Sequence, residues 1–246
     1  MEKKHSDYVG YRMISIRRVY IMEKPNRYAQ MGRIMRGALL MLLCFAAFTL
    51  MIRFFDVQPI GPNGSCVGFA SINAKARDAL GMNTTWYAVT QYLGYLALAI
   101  AAGFAAAGLV QAIERRSLAK VDPKLYALAG VYVAVVVFYV FFELVVVNYR
   151  PILMDGILEA SYPSSHSMLA LTIFGTTAVM ARYYIKNKRA QNAVSFLCGL
   201  LAGVMVIGRL ASGVHWLTDI VGGVILSVFF IDTFKNICKY LQDNKE

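Results

Sequence analysis

The chain has 246 residues, of which 58% are hydrophobic and only 16% are charged, with a formal net charge of +11. That balance is too apolar for an ordinary soluble domain of this length and points to an integral membrane protein. A helical crossing needs about 20 mostly apolar residues, so stretches avoiding Asp, Glu, Lys and Arg mark the candidates.

In chain order, residues 1–33 form a basic N-terminal arm in which cationic, aromatic and aliphatic positions alternate, the pattern of an amphipathic segment on a membrane surface or of a partner-binding arm. Six spans follow in a single domain over residues 34–240. They are Ile34 to Phe55, Trp86 to Ile113, Leu125 to Tyr149, Ser164 to Ile185, Ala190 to Gly208, and Trp216 to Phe234. The last is the weakest because it contains Asp219 and Asp232. Residues 241–246 make a short tail. The first span is long enough to remain as an anchor, so no cleavable signal peptide is expected. The longest connection, Asp56 to Thr85, opens with the turn-rich PIGPNGS, and its second half reads as a short surface helix. Cys44 and Cys198 fall within spans, Cys238 near the tail, and only Cys66 in an external loop, which leaves no outer pair for a disulfide.

Orientation follows from the cations. Nine lie in the arm through Arg36, four between Glu114 and Lys124, four between Arg182 and Arg189, and three from Lys235 onward. These 20 of the 25 Lys and Arg residues occupy connections on one side of the membrane, which places both termini in the cytoplasm of a multi-pass cell-membrane protein. The excess positive charge is thereby explained without a nucleic-acid partner.

Three clusters then share the extracytoplasmic side: NYRP at Asn148 to Pro151, YPSSH at Tyr162 to His166, and GRLASGVHWLTD at Gly208 to Asp219. Ionisable groups beside hydrocarbon are costly and are usually paired or functional. Arg150 and Arg209 offer planar forks suited to phosphate oxygens. A helix beginning near Pro163 would present free backbone N–H groups around Ser164 and Ser165, a setting that favours an anion. His166 and His215 can each carry a proton or act as a nucleophile near neutral pH. Asp219 lies four residues beyond His215, one helical turn away if the sixth helix has begun, and there it would accept a hydrogen bond from the ring.

With these pieces in view, the chain resembles the type 2 phosphatidic acid phosphatase superfamily of membrane lipid phosphatases, whose pattern is KxxxxxxRP, then PSGH, then SRxxxxxHxxxD. Arg150-Pro151, Pro163 to His166, and Arg209, His215 and Asp219 stand at the family spacing. The resemblance covers the third through sixth spans. It implies an all-α, polytopic helical bundle with a core shared with the haloperoxidases. It further implies a phosphoryl transfer in which His215 attacks phosphorus, Asp219 supports it and His166 protonates the leaving group. Arg150, Arg209, Ser164 and the backbone at Ser165 would hold the phosphoryl oxygens. No metal or other cofactor is implied. The substrate class is a lipid phosphomonoester or diphosphate, such as undecaprenyl diphosphate, phosphatidic acid or phosphatidylglycerol phosphate, presented by the bilayer.

Three positions depart from the pattern. Ser165 replaces the motif glycine, Gly208 replaces the motif serine, and Glu143 replaces the motif lysine. Seven helical residues would return Glu143 to the face of Arg150. Three arrangements then reconcile a carboxylate with a phosphate site: protonation by burial, pairing with Arg150 or Arg209, which is the favoured one, or compensation by Lys75 or Arg77. The alternatives to a hydrolase are a phosphotransferase using the same intermediate and a catalytically inactive scaffold. A small transporter would be expected to show repeated halves, and none is visible.

Overall fold

Asparagine or aspartate opens four of the long helices. The side chains of Asn26, Asn83, Asp122 and Asn187 each accept a backbone N–H from two or three residues further on, which satisfies donors that a first helical turn leaves free. The structure, a computed structural model, describes residues 26–244. Most of the expected basic arm, residues 1–25, lies outside the described residues. Seven α-helices occur among the described residues: α1 Arg27–Phe54, α2 Ala70–Leu80, α3 Thr84–Glu114, α4 Pro123–Leu144, α5 Ser165–Tyr184, α6 Lys188–Ala211 and α7 Leu217–Asp243. The expected surface helix of the long connection is α2.

The six long helices form an all-α bundle. Five of them, α1, α3, α4, α6 and α7, are long and apolar enough to cross a membrane, and they carry many large hydrophobic side chains on the outside. The sixth, α5, is different. Its 20 residues span about 30 Å, enough for a hydrocarbon layer, but hydroxyls interrupt its apolar run. It packs against α3, α4, α6 and α7, so those hydroxyls face protein. Thr172, Thr176 and Thr177 return their hydrogens to helix carbonyls at 2.7–2.8 Å, and Tyr132 meets Thr176 at 3.1 Å. Polar groups bonded in this way are tolerated inside a membrane bundle.

The third span is shorter than expected. In place of a helix through Tyr149, α4 ends at Leu144 and Val145 leaves helical geometry at φ −106°, ψ 80°. Two causes act together. Pro151 disfavours helical geometry at Arg150, and the Asn148 side chain is held by other segments, accepting from the Gly68 N–H at 3.3 Å and donating to Asp219 Oδ1 at 3.3 Å. Residues 148–161 instead fold back as a hairpin, with antiparallel pairing of Tyr149 to Ala160 and Met154 to Ile157. Glu143 and Arg150 therefore do not share a helical face.

The start of α5 is fixed by Tyr162, which follows this hairpin and is only 1% exposed. Its hydroxyl lies 2.8 Å from Thr49 Oγ1 in α1. Its ring stacks on Phe45 and meets Phe142 edge-on, with centroids 6.0 and 5.7 Å away. A Cβ at Gly222 would lie 2.4 Å from this ring, so a glycine in α7 lets the two segments meet. The Tyr162–Pro163 peptide is cis.

Candidate active site

Three chain segments meet at one end of the bundle. The hairpin after α4 carries Arg150, the first turn of α5 carries Ser165 and His166, and the turn between α6 and α7 carries His215. Arg209 enters from the last turn of α6. Its Nη2 is 2.9 Å from His215 Nε2, and Arg150 Nη1 is 3.4 Å from the same nitrogen. Two guanidinium groups thus converge on one nitrogen of one imidazole.

These cations are held differently. Arg209 is 1% exposed; its Nη1 donates to Thr90 Oγ1 at 3.4 Å, and its guanidinium lies 5.6 Å from the Tyr87 ring centroid. Arg150 forms an ion pair with Glu159, at 3.0 Å from Nε to Oε2, but the angle does not make a hydrogen bond. Arg150 Nε, Arg209 Nε and His166 Nδ1 are all buried without a hydrogen-bond partner within the protein. Buried polar atoms are rarely left this way, and Arg209 Nε and His166 Nδ1, which have no ion-pair partner either, are free to meet a polar ligand.

The favoured pairing of Glu143 with an arginine is not what the structure contains. Glu143 is exposed and makes no ion pair among the described residues, whereas Arg150 pairs with Glu159 from its own hairpin. The end of α4 at Leu144 explains this, since it removes the helical register that would have joined residues 143 and 150. Glu143 still lines a small cleft together with Arg150, Ser161, Ser165 and His215. Arg77, the other cation considered for that role, lies over the Trp216 ring, 5.5 Å from its centroid, and lines a cleft on another side of His215.

The link between His215 and Asp219 also differs in form. The turn Ser212 to Trp216 precedes α7, so His215 is outside the helix and Asp219 is in its first turn. Asp219 Oδ2 accepts the Trp216 N–H at 2.9 Å, a helix-starting contact, and lies 3.8 Å from His215 Nδ1, beyond hydrogen-bond reach. Ser161 stands between them. Its Oγ is 2.9 Å from His215 Nδ1 and makes a short hydrogen bond to Asp219 Oδ2. Sequence reasoning missed both Ser161 and Glu159. Neither belongs to a recognisable spacing, and the one available signal was the adjacency of Ser161 to YPSSH. Burial, reinforced by the positive charges of Arg209 and Arg150 and by His166, holds His215 well below the usual imidazole range, so its ring is neutral at neutral pH.

Ser164 caps α5 from a fully buried position. Its backbone N–H donates to the Asp219 carbonyl at 2.9 Å, and its hydroxyl lies 3.1 Å from Ser167 Oγ. Ser165 begins the helix and is half-buried. It lines both the cleft containing Arg150 and His215 and a larger cavity of about 220 Å³ that contains His166, so the two spaces adjoin at this residue. The larger cavity runs between α3 and α4 along Leu98, Val135 and Val136, and a further cavity of about 90 Å³ shares those three side chains. A polar site therefore opens into an apolar slot between helices.

Gly208, one of the departures, has a packing reason. A Cβ there would stand 2.7 Å from Thr90 and 2.9 Å from Trp86, where α3 presses on α6 next to Arg209.

Comparison with known proteins agrees with this architecture. A family model described as the PAP2 superfamily matches residues 38–242. A search of curated proteins finds no match. Among solved structures, the fold is similar to one described as the first transmembrane PAP2 type phosphatidylglycerolphosphate phosphatase from Bacillus subtilis. That match has 18% sequence identity and a TM-score of 0.56, and covers 82% of this chain and 96% of the other.

Proposed function

The chain belongs to the PAP2 superfamily, and from that premise we propose that it is a membrane lipid phosphatase acting on a lipid phosphomonoester or diphosphate through a phosphohistidine intermediate. The observation that carries this reading is the convergence of Arg150 and Arg209 on His215 Nε2, with Arg209 Nε and His166 Nδ1 buried and without hydrogen-bond partners. A phosphoryl group at this point would meet a neutral imidazole nitrogen and two fixed cations. Preorganised charge of this kind stabilises the oxygens of phosphorus as charge develops on them.

The proposed reaction uses groups of the protein itself. The lone pair of His215 Nε2 forms a bond to phosphorus while the bond from phosphorus to the lipid oxygen breaks. That oxygen takes a proton from His166. Water then attacks phosphorus and gives a proton back to His166, and the electron pair of the N–P bond returns to His215. The balance is ester and water in, lipid alcohol and phosphate out. Arg150, Arg209 and the N–H groups at the start of α5, near Ser164 and Ser165, hold the transferring oxygens, and Asp219 supports His215. Glu143, at the edge of the cleft, modulates the site.

The apolar slot supports a lipid as substrate. A chain lying along Leu98, Val135 and Val136 would remain in apolar surroundings while its head group reached His166. The site end of the bundle is opposite the basic connections at Glu114 to Lys124 and Arg182 to Arg189, which supports a site at the outer face. The test is phosphate release by purified protein in detergent from a panel of phosphatidylglycerol phosphate, phosphatidic acid and undecaprenyl diphosphate. Release that disappears in His215→Gln supports the reading. Failure to release phosphate from any of them, or full activity in His215→Gln, overturns it.

A further inference from the structure

Hydrogen-bond roles around His215 can be assigned from donors alone. A guanidinium has five N–H donors and no acceptor, so with Arg209 Nη2 at 2.9 Å and Arg150 Nη1 at 3.4 Å, His215 Nε2 must present its lone pair. The ring proton of the neutral imidazole is then on Nδ1. Nothing acidic is close enough to receive it directly, because Asp219 Oδ2 is 3.8 Å away. The near acceptor is Ser161 Oγ at 2.9 Å, and the single hydroxyl hydrogen of Ser161 is directed to Asp219 Oδ2.

We propose that Ser161 is a positioning residue that transmits the orienting and charge-compensating effect of Asp219 to His215 through its hydroxyl. This deepens the proposed phosphatase reading and rests on it. The carboxylate is fully engaged by Ser161 Oγ, the Trp216 N–H at 2.9 Å and Asn148 Nδ2 at 3.3 Å. None of these donors is the imidazole. Ser161 itself is 3% exposed, and its backbone N–H donates to the Asn148 carbonyl at 2.9 Å. Asn148 therefore holds the serine through its backbone carbonyl and the carboxylate through its side chain, so one residue fixes two members of the chain of bonds.

During transfer the imidazole becomes positive as Nε2 bonds to phosphorus. Its Nδ1 proton stays on the ring, and no proton passes to Asp219. The bonds from Nδ1–H to Ser161 Oγ and from Ser161 O–H to the carboxylate both strengthen, because hydrogen bonds to charged groups are the stronger kind. A serine hydroxyl suits this place because one oxygen accepts and donates at once. An alanine would leave the carboxylate too far to act and the ring free to turn.

The test is a kinetic cycle with a structural readout. Ser161→Ala should lower kcat by about 10²- to 10³-fold with KM changed less than about threefold, the pattern expected when imidazole orientation is lost. Ser161→Thr, which keeps a hydroxyl, should retain activity within about tenfold. Groups that act as one unit give non-additive losses, so Ser161→Ala combined with Asp219→Asn should be no slower than the slower single variant. In ¹H–¹⁵N spectra of histidine-labelled protein, a downfield His215 Nδ1–H signal should be present in the parent and in Ser161→Thr and absent in Ser161→Ala. Full kcat in a folded Ser161→Ala protein, strictly additive losses, or an Nδ1–H signal unchanged by Ser161→Ala overturns the relay while leaving the phosphatase reading intact. No phosphate release by the parent overturns the phosphatase reading and the relay's catalytic part together.

Discussion

Two buried cation clusters occupy opposite ends of the bundle, and they are built differently. At the end away from the site, Lys124 is 3% exposed, with Nζ 3.9 Å from Asp122 Oδ1 and 5.0 Å from the Tyr183 ring centroid. Asp122 also accepts the Tyr184 hydroxyl at 2.8 Å, and its N–H donates to Gln111 at 3.0 Å. That cluster closes on itself and joins α3, α4 and α5. At the other end, Arg150 and Arg209 converge on an imidazole while buried nitrogens are left without partners. Burial of charge is common to both, so it does not identify function. The distinguishing feature is what the cations meet: a carboxylate and an aromatic ring at one end, and one shared imidazole nitrogen at the other.

The comparison can be broken by substitution, and the largest effect should come from the convergent end. His215→Gln should reduce phosphate release by at least about 10⁴-fold, the order seen when a covalent nucleophile is lost. Arg209→Lys should cost about 10²- to 10³-fold, measured as kcat/KM, because a point charge cannot serve Thr90 and His215 together as the planar fork does. Gly208→Ser, which restores the family residue, should lower activity by about tenfold to a hundredfold: its side chain meets Thr90 and Trp86 and displaces Arg209 by a fraction of an ångström. Leu98→Trp should raise KM severalfold for a long-chain lipid phosphate and leave turnover of a short soluble phosphomonoester unchanged, since it fills the slot and not the polar cleft. The smallest effect on activity belongs to the closed cluster. Lys124→Met should change turnover per folded molecule by less than about twofold while lowering the thermal transition, because it removes the buried charge that lies against Asp122 and the Tyr183 ring. A large catalytic loss in Lys124→Met would erase the distinction between the two ends.

Much of this arrangement was legible from spacing. Arg209, His215 and Asp219 are joined by a short turn, so their sequence intervals constrain their positions directly. The helices α3, α4 and α6 begin two residues before the expected spans at Trp86, Leu125 and Ala190, where Asn83, Asp122 and Asn187 cap them, a local signal that hydropathy alone does not use. Other features depended on segments distant in sequence. The VVV run at 145–147 is as apolar as the helix before it, and hydropathy alone does not separate helix from extended chain. The capture of Asn148 by Gly68 and Asp219 ends the regular structure there. Ser161 and Glu159 become site residues because the hairpin turns back beside Arg150, a fold that no local pattern announces. The inner position of α5 was hidden likewise: its threonines lower apolarity, and only the surrounding helices show why that is tolerated.

The bond from the Ser164 N–H to the Asp219 carbonyl has a bearing on how the protein is made. Asp219 belongs to α7, which leaves the ribosome after α5, yet its carbonyl holds the first residue of the helix start that carries His166. A chain halted before α7 lacks Asp219 and with it the anchor that sets the start of α5. Chemical competence therefore waits for the insertion of α7, and fragments released before it during synthesis are silent toward the lipids around them.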